Sequence, residues 1–485
     1  MSELTLAQQL ARFAVANSFD KLPLEVIESV RMRVLDILGI SIASSSLDTS
    51  QSARAFVASQ GGNPQALGIG MGYRVPTSQA AFINGVLAHS LDYDDTHLPS
   101  IVHPSASIVP AAIAAAEEVG ANGKDLIAAI ACGLEVCVRL GMAGFDDESG
   151  TSIFFEHGQH ATSICGALGA AVSVGLLYGF DETEITHSLG LAGSMASGII
   201  EANRTGGTVK RTHCGWAAHA AVSAAQLVRH GFTGPPTVLE GRFGFFQAWL
   251  HGQFQASAIT DELGVHWEVP EIFFKPYPSN HFTHTAIDAA AAIRRRGIDL
   301  DQIDAIELGV ASPIVRTLGE PIEVKRTPET GYMAQFSGPY AVVAGLLGGG
   351  GLEVALSDYT DELALDPLRR QLMQLVSVIA HERCDEIFPR QFPSILRVHL
   401  RDGQVLVEEV LVNRGSPERP LSYEELATKF RDNVGSVLSR RDTEHTQALV
   451  ARLEELTEVR QLLASLEDFV AAPPREPHHA YSREN

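Results

Sequence analysis

Four long segments of the chain are rich in Ala, Gly, Val and Leu, with small residues prominent, at 107–118, 125–143, 162–178 and 215–230. Ala, Gly, Ser and Val at helical spacing let helices approach closely, so these segments constrain the fold more than any other feature: they predict a tightly packed helical core. Strand signals are nearly absent before Pro270. After it, Ile306, Leu308 and Val310 alternate with other residues as a half-buried strand does. Two alternating runs, Ile395–Arg401 and Gln404–Leu411, flank Asp402-Gly403 and predict a hairpin. Ser422 and Glu425 form a capping box ahead of Leu426 and Phe430, and helical pattern continues through Leu463. The expected fold is mainly α: a large all-helical domain formed by both chain ends (1–270 and 412–470), a smaller inserted α+β lid domain (271–411), and a Pro-rich, polar, disordered tail (471–485).

The 485 residues carry 36 Lys+Arg against 58 Asp+Glu, a formal net charge of −22. No Lys/Arg-dense stretch offers the basic face that binding a polyanion requires, so nucleic acid and membrane are not expected as partners. A small anion is a different matter, because a few cations inside a cleft outweigh a distant acidic surface. The five cysteines form no CxxC pair and read as buried thiols. The start of the chain reads as an amphipathic helix on Leu6, Leu10 and Phe13 rather than a leader peptide, and no stretch approaches the ~20 apolar residues of a membrane helix. A cytoplasmic protein is expected.

Three times a polar cluster runs directly into one of the small-residue helices. His103-Pro-Ser-Ala-Ser107 precedes the first, His157-Gly-Gln-His160 with Thr162 the third, and Lys210-Arg-Thr-His213 the fourth. Helix N-termini present unpaired N–H groups and a positive dipole end, which suit carboxylates or phosphates. If the three helices are neighbours, their starts gather His103, His160 and Lys210 around one anion-binding cleft. Leu91-Asp-Tyr-Asp-Asp-Thr-His97 adds three carboxylates and a histidine shortly before His103. These could ligate a divalent metal with His97 and His103, or orient a general acid/base; no metal-site spacing favours the first. In Lys275-Pro-Tyr-Pro-Ser-Asn-His-Phe-Thr-His284, two prolines stiffen the backbone around a lysine able to clamp a carboxylate. No cofactor is expected: Gly68-Ile-Gly-Met-Gly72 reads as a turn, and the glycines at 348–351 read as a helix stop.

The succession LDYDDTHLPSIVHPS, HGQHATSICGALGAA, TVKRTHCGWAAHAA, GRFGFFQAW, KPYPSNHFTH and AQFSGPYAV resembles the MmgE/PrpD superfamily over residues 5–465. The resemblance implies a homodimer and metal-independent chemistry on small polycarboxylates. It implies an active site at Asp92, Thr96, His103, His160, Lys210, Lys275 and Tyr340. The chain departs from the pattern at Asn280, where relatives commonly carry Cys or His; Asn hydrogen-bonds but exchanges no proton near neutral pH, and His281 is the titratable neighbour. His103, His160, Asp92 and Lys210 are the expected catalytic residues. Thr96, Lys275, Tyr340, Asn280 and His281 are expected to bind substrate. The leading function is a cofactor-independent lyase of the dehydratase type, like 2-methylcitrate dehydratase. Alternatives are an epimerase or racemase, a decarboxylase, or a non-catalytic carboxylate-binding protein.

Overall fold

The computed structural model describes residues 4–471 except Asp147 and Ser149; the tail expected at 471–485 lies outside the described residues apart from Ala471. The chain divides into two compact units. The first comprises the chain up to Leu91, Pro99–Pro270 and the chain from Val437 onward; the second comprises Asp92–Leu98 and Glu271–Ser436. The fold is mainly α.

In the first unit, α1 (Leu6–Ala16) opens on a Thr5 capping box and buries Leu6, Leu10 and Phe13 along one face. The body of the unit is α2 (Leu24–Ser44), α3 (Thr77–His89), α4 (Ser105–Val119), α5 (Gly123–Met142), α6 (Ala161–Leu177) and α7 (His213–Arg229). The four small-residue segments correspond to α4–α7, which are buried almost end to end. Two glycine pairs explain how closely these helices pack. A Cβ at Gly85 on α3 would lie 2.8 Å from the Cα of Gly215 on α7, and one at Gly215 would lie 2.4 Å from the Phe82 carbonyl oxygen. Between α5 and α6, a Cβ at Gly169 would lie 2.5 Å from the Gly133 oxygen, and one at Gly133 would lie 2.1 Å from Ser173 Oγ. Ser173 Oγ meanwhile donates to the Ala129 carbonyl at 2.6 Å, so the contact carries a hydrogen bond as well as dispersion. All five cysteines are free and buried. No helix among the described residues is long and apolar enough to cross a membrane.

The second unit is α+β. Its sheet holds β1 (Ile303–Val310), β2 (Val376–Ala380), β3 (Ser394–Leu400) and β4 (Val405–Val410), in the order β2-β1-β3-β4. The expected hairpin is β3–β4, paired antiparallel with Leu396 opposite Glu408 and Gly403 at φ +88° in its turn. β1 pairs antiparallel with β3 and parallel with β2. Helix α8 (His284–Arg294) packs on β3, β4 and α9 (Gly338–Leu347); α9 stops at Gly348, φ +76°. Helix α10 (Tyr423–Val434) begins at the expected Ser422–Glu425 capping box.

Candidate active site

In the first unit, helix ends bring four imidazoles together. His89 is the last residue of α3, His160 is the N-cap of α6, His213 opens α7, and His103 stands just ahead of α4. Ring centroids lie 5.5 Å apart for His89–His103, 5.7 Å for His89–His160 and 4.9 Å for His160–His213. The Nδ1 atoms of His160 and His213 are 2.9 Å apart. Backbone bonds hold the ring carriers: the His103 N–H donates to Thr162 Oγ1 at 3.1 Å, and the His160 N–H to the Gly198 carbonyl at 3.1 Å. His160, His213 and His89 are buried, and His103 is half-buried.

Burial strips water from these rings and disfavours their charged form. His160 is held well below its ordinary pKa, first by desolvation and then by the fields of His89, His213, Lys210 and His103. His213 is pushed down to about 4 by desolvation, His89 and Lys210. Lys210, half-buried in the turn Val209–Thr212, is therefore close enough to both rings to oppose their protonation. The structure thus links His103 and His160 through His89, with the charge of Lys210 acting on His160 and His213. His157, three residues before His160, belongs elsewhere: its Nδ1 is 3.1 Å from the Trp249 carbonyl oxygen.

The second unit gathers a different set. Lys275, 2% exposed, donates from Nζ to the Asp92 carbonyl oxygen at 2.8 Å and lies 3.6 Å from the Asp92 carboxylate. Asp92 takes a left-handed backbone, φ +51°, which Asp tolerates better than most non-glycine residues and which these contacts pin. Thr96 pairs through its backbone with Phe273, at 2.9 and 2.8 Å. Lys429 of α10, also 2% exposed, donates to the carbonyls of Lys275 at 2.8 Å and Tyr93 at 3.0 Å, and lies 3.7 Å from the centroid of the Tyr93 ring. It fastens the Asp92 segment to the Lys275 segment. His284 donates from Nε2 to the Ser279 carbonyl at 3.2 Å, and its pKa is pushed down to about 3, chiefly by desolvation and then by Lys275.

The other expected residues of this unit have contacts of their own. Asn280 caps the turn His281–Thr283 by accepting from the Phe282 N–H at 3.1 Å. His281 lies among the rings of Phe273, His284 and Phe392. Tyr340 is fully buried and donates to the Asp358 carbonyl at 2.5 Å; burial raises its pKa to about 12.

Among the described residues, no group of three or more His, Cys, Asp or Glu could hold a metal ion. A cavity of about 470 Å³ in the first unit is lined in part by residues 241–245 and Trp249. Among the described residues, Arg242 is the one charged group lining it and no histidine lines it.

Residues 8–257 match the MmgE/PrpD N-terminal domain and residues 277–455 the MmgE/PrpD C-terminal domain. The chain belongs to the MmgE/PrpD family. It is similar to cis-aconitate decarboxylase of Mus musculus, 29% identical over 79% of this chain and 77% of the relative. The Homo sapiens enzyme of the same name is 29% identical over 89% of this chain and 88% of its own length. That of Aspergillus terreus is 25% identical over 96% of both chains.

Three members of the clusters in this MmgE/PrpD chain were not expected to act there: His89, His213 and Lys429. His213 closes the KRTH motif, so its position beside Lys210 is visible in the sequence. His89 stands two residues before the Leu91–His97 motif, but a single histidine at a helix end carries no distinguishing pattern. Lys429 lies 154 residues from Lys275 in a helix, YEELATKFRDNV, that reads like a solvated one.

Proposed function

We propose that the protein is a lyase acting on a small di- or tricarboxylate, with proton transfer by the histidine cluster and carboxylate binding by Lys210 beside it. One observation carries the proposal: four imidazoles and a lysine are concentrated at helix ends of a chain whose net charge is −22. Such a cluster is unfavourable for a proton while empty and favourable for an anion. A polycarboxylate would reverse the local field and raise the imidazole pKa values, so that binding substrate also recruits the proton the reaction needs.

In decarboxylation the C–CO2 bond breaks, and its electron pair passes to carbon in conjugation with a remaining carboxylate. An imidazolium at His160 or His103 then returns a proton to that carbon. Lys210 stabilises the charge that develops on the carboxylate. Dehydration and epimerisation use the same groups in another order, beginning with removal of an α-proton by neutral imidazole. Decarboxylation leads because relatives aligned over most of the chain bear the name cis-aconitate decarboxylase. The homodimer implied by the family resemblance belongs to the same proposal, and sedimentation velocity checks it.

The test is proton NMR in D2O on a panel of unsaturated, hydroxy- and imino-carboxylates, with cis-aconitate first. The expected result is loss of CO2 with one deuterium entering the product. Elimination of water from a hydroxy acid would move the assignment to a dehydratase, and exchange at the α-carbon alone to an epimerase. Binding without any of the three would overturn the lyase.

A further inference from the structure

The contact between His160 and His213 can be taken further, and its functional side rests on the proton transfer proposed above. Their Nδ1 atoms are 2.9 Å apart, a full hydrogen-bond distance. Two bare lone pairs would repel at that separation and two N–H groups would collide, so one nitrogen carries the hydrogen and the other accepts it. Burial and the neighbouring His89 and Lys210, joined at His160 by His103, keep both rings neutral near pH 7. A neutral imidazole has one N–H. The ring that donates through Nδ1 therefore has a bare Nε2, and the ring that accepts has its hydrogen on Nε2.

The backbones under the two rings are fixed. Ser163 Oγ donates to the His213 carbonyl at 3.0 Å, and the His160 N–H is held by Gly198. Gly198 has φ +140°, and a Cβ there would lie 3.4 Å from that of His160 and 3.1 Å from that of Ser163. Backbone anchors thus hold both ring carriers, and Gly198 leaves no space for a side chain beside them.

We infer that His160 and His213 share one proton between their Nδ1 atoms, so that His213 is a positioning residue that sets whether Nε2 of His160 serves as base or acid. When His160 donates through Nδ1, its bare Nε2 can take a proton from substrate. Passing the Nδ1 hydrogen to His213 then leaves His160 neutral with an Nε2–H, and the positive charge rests on His213. Proton count and charge balance without any further reactant.

The test uses the full-length protein labelled with 15N-histidine at pH 7.5, assigned with His160→Gln and His213→Asn. Expected are opposite tautomers for the two rings and a 15N–15N coupling through the hydrogen bond between their Nδ1 atoms. Two rings in the same tautomer, or no coupling, would overturn the pair, and this readout needs no substrate. In turnover of the carboxylate identified above, His213→Leu should lower kcat about tenfold or more with KM little changed. His213→Asn, whose amide can either donate or accept, should recover part of that loss. A wild-type kcat in His213→Leu would overturn the positioning role. If the wild-type protein converts no carboxylate, the proposed function fails, and the tautomers alone decide the pair. If His213→Leu does not fold, the wild-type spectrum and His213→Asn still decide it.

Discussion

The histidine cluster of the first unit and the lysine cluster of the second bury ionisable groups in opposite ways. In the first, ring meets ring, and the partners of His160 are groups that can themselves gain or lose a proton. In the second, ammonium meets backbone carbonyl: Lys275 and Lys429 donate to main-chain oxygens, with the Asp92 carboxylate 3.6 Å from Lys275 as a counter-charge. The first arrangement leaves proton positions open to exchange; the second fixes where two chain segments lie. Substitutions in the first should therefore alter chemistry before stability, and substitutions in the second stability before chemistry.

The largest expected effect is on turnover. His160→Gln, which keeps an amide in the ring's place, should reduce kcat about a hundredfold to ten-thousandfold, with a thermal midpoint near the wild-type value by circular dichroism. A collapsed midpoint would erase the distinction between the clusters. Next comes Lys429→Met. It leaves the carbonyls of Tyr93 and Lys275 without their donor in a dry interior, at a cost of about 1–3 kcal/mol for each. Urea unfolding should show this directly, and an unchanged midpoint would mean that Lys429 fastens nothing.

A subtler contrast lies in pH. His213 and His284 have folded-state pKa values of about 4 and about 3, below the unfolded value near 6.5. The unfolded chain therefore binds more protons, and stability rises with pH. This contribution is complete above about pH 6.5 and is lost as pH falls toward 4 for His213 and toward 3 for His284. His284→Gln should flatten the acid side of a plot of melting temperature against pH; an unaltered slope would show that His284 does not titrate on unfolding. The smallest effect concerns Asn280. Asn280→Ala removes a cap worth about 1 kcal/mol, while Asn280→Asp preserves it. If Asn280→Asp melts normally but no longer turns over substrate, Asn280 contacts substrate as well as the Phe282 N–H.

Much of the helical core was legible because small residues leave few alternatives. A run such as SICGALGAAVSVGLL has too little side-chain volume to fill space unless another helix lies against its backbone, and α6 begins at Ala161 and ends at Leu177, within a residue of the expected 162 and 178. The hairpin was equally clear from its Asp402-Gly403 turn. Strand β2 was not. Its five residues, Val376–Ala380, are too few to show a period, and their pairing with β1 depends on an element seventy residues upstream. The site divides along the same line. His103, His160, Lys210 and Lys275 sit in local motifs and could be picked out. Lys429 could not, because nothing within α10 marks a lysine whose partners lie in two distant segments.

The glycine contacts Gly85–Gly215 and Gly133–Gly169 set a limit on how this protein can vary. Where helices meet through their backbones, one methyl group is already too large, so drift in the core cannot proceed by the usual gradual exchange of similar side chains. His89 ends α3 and His213 begins α7, the two helices that meet at Gly85 and Gly215. A change in that spacing would move the two rings by the same amount. In this chain, helix separation and the placement of the two rings are thus tied to one backbone contact.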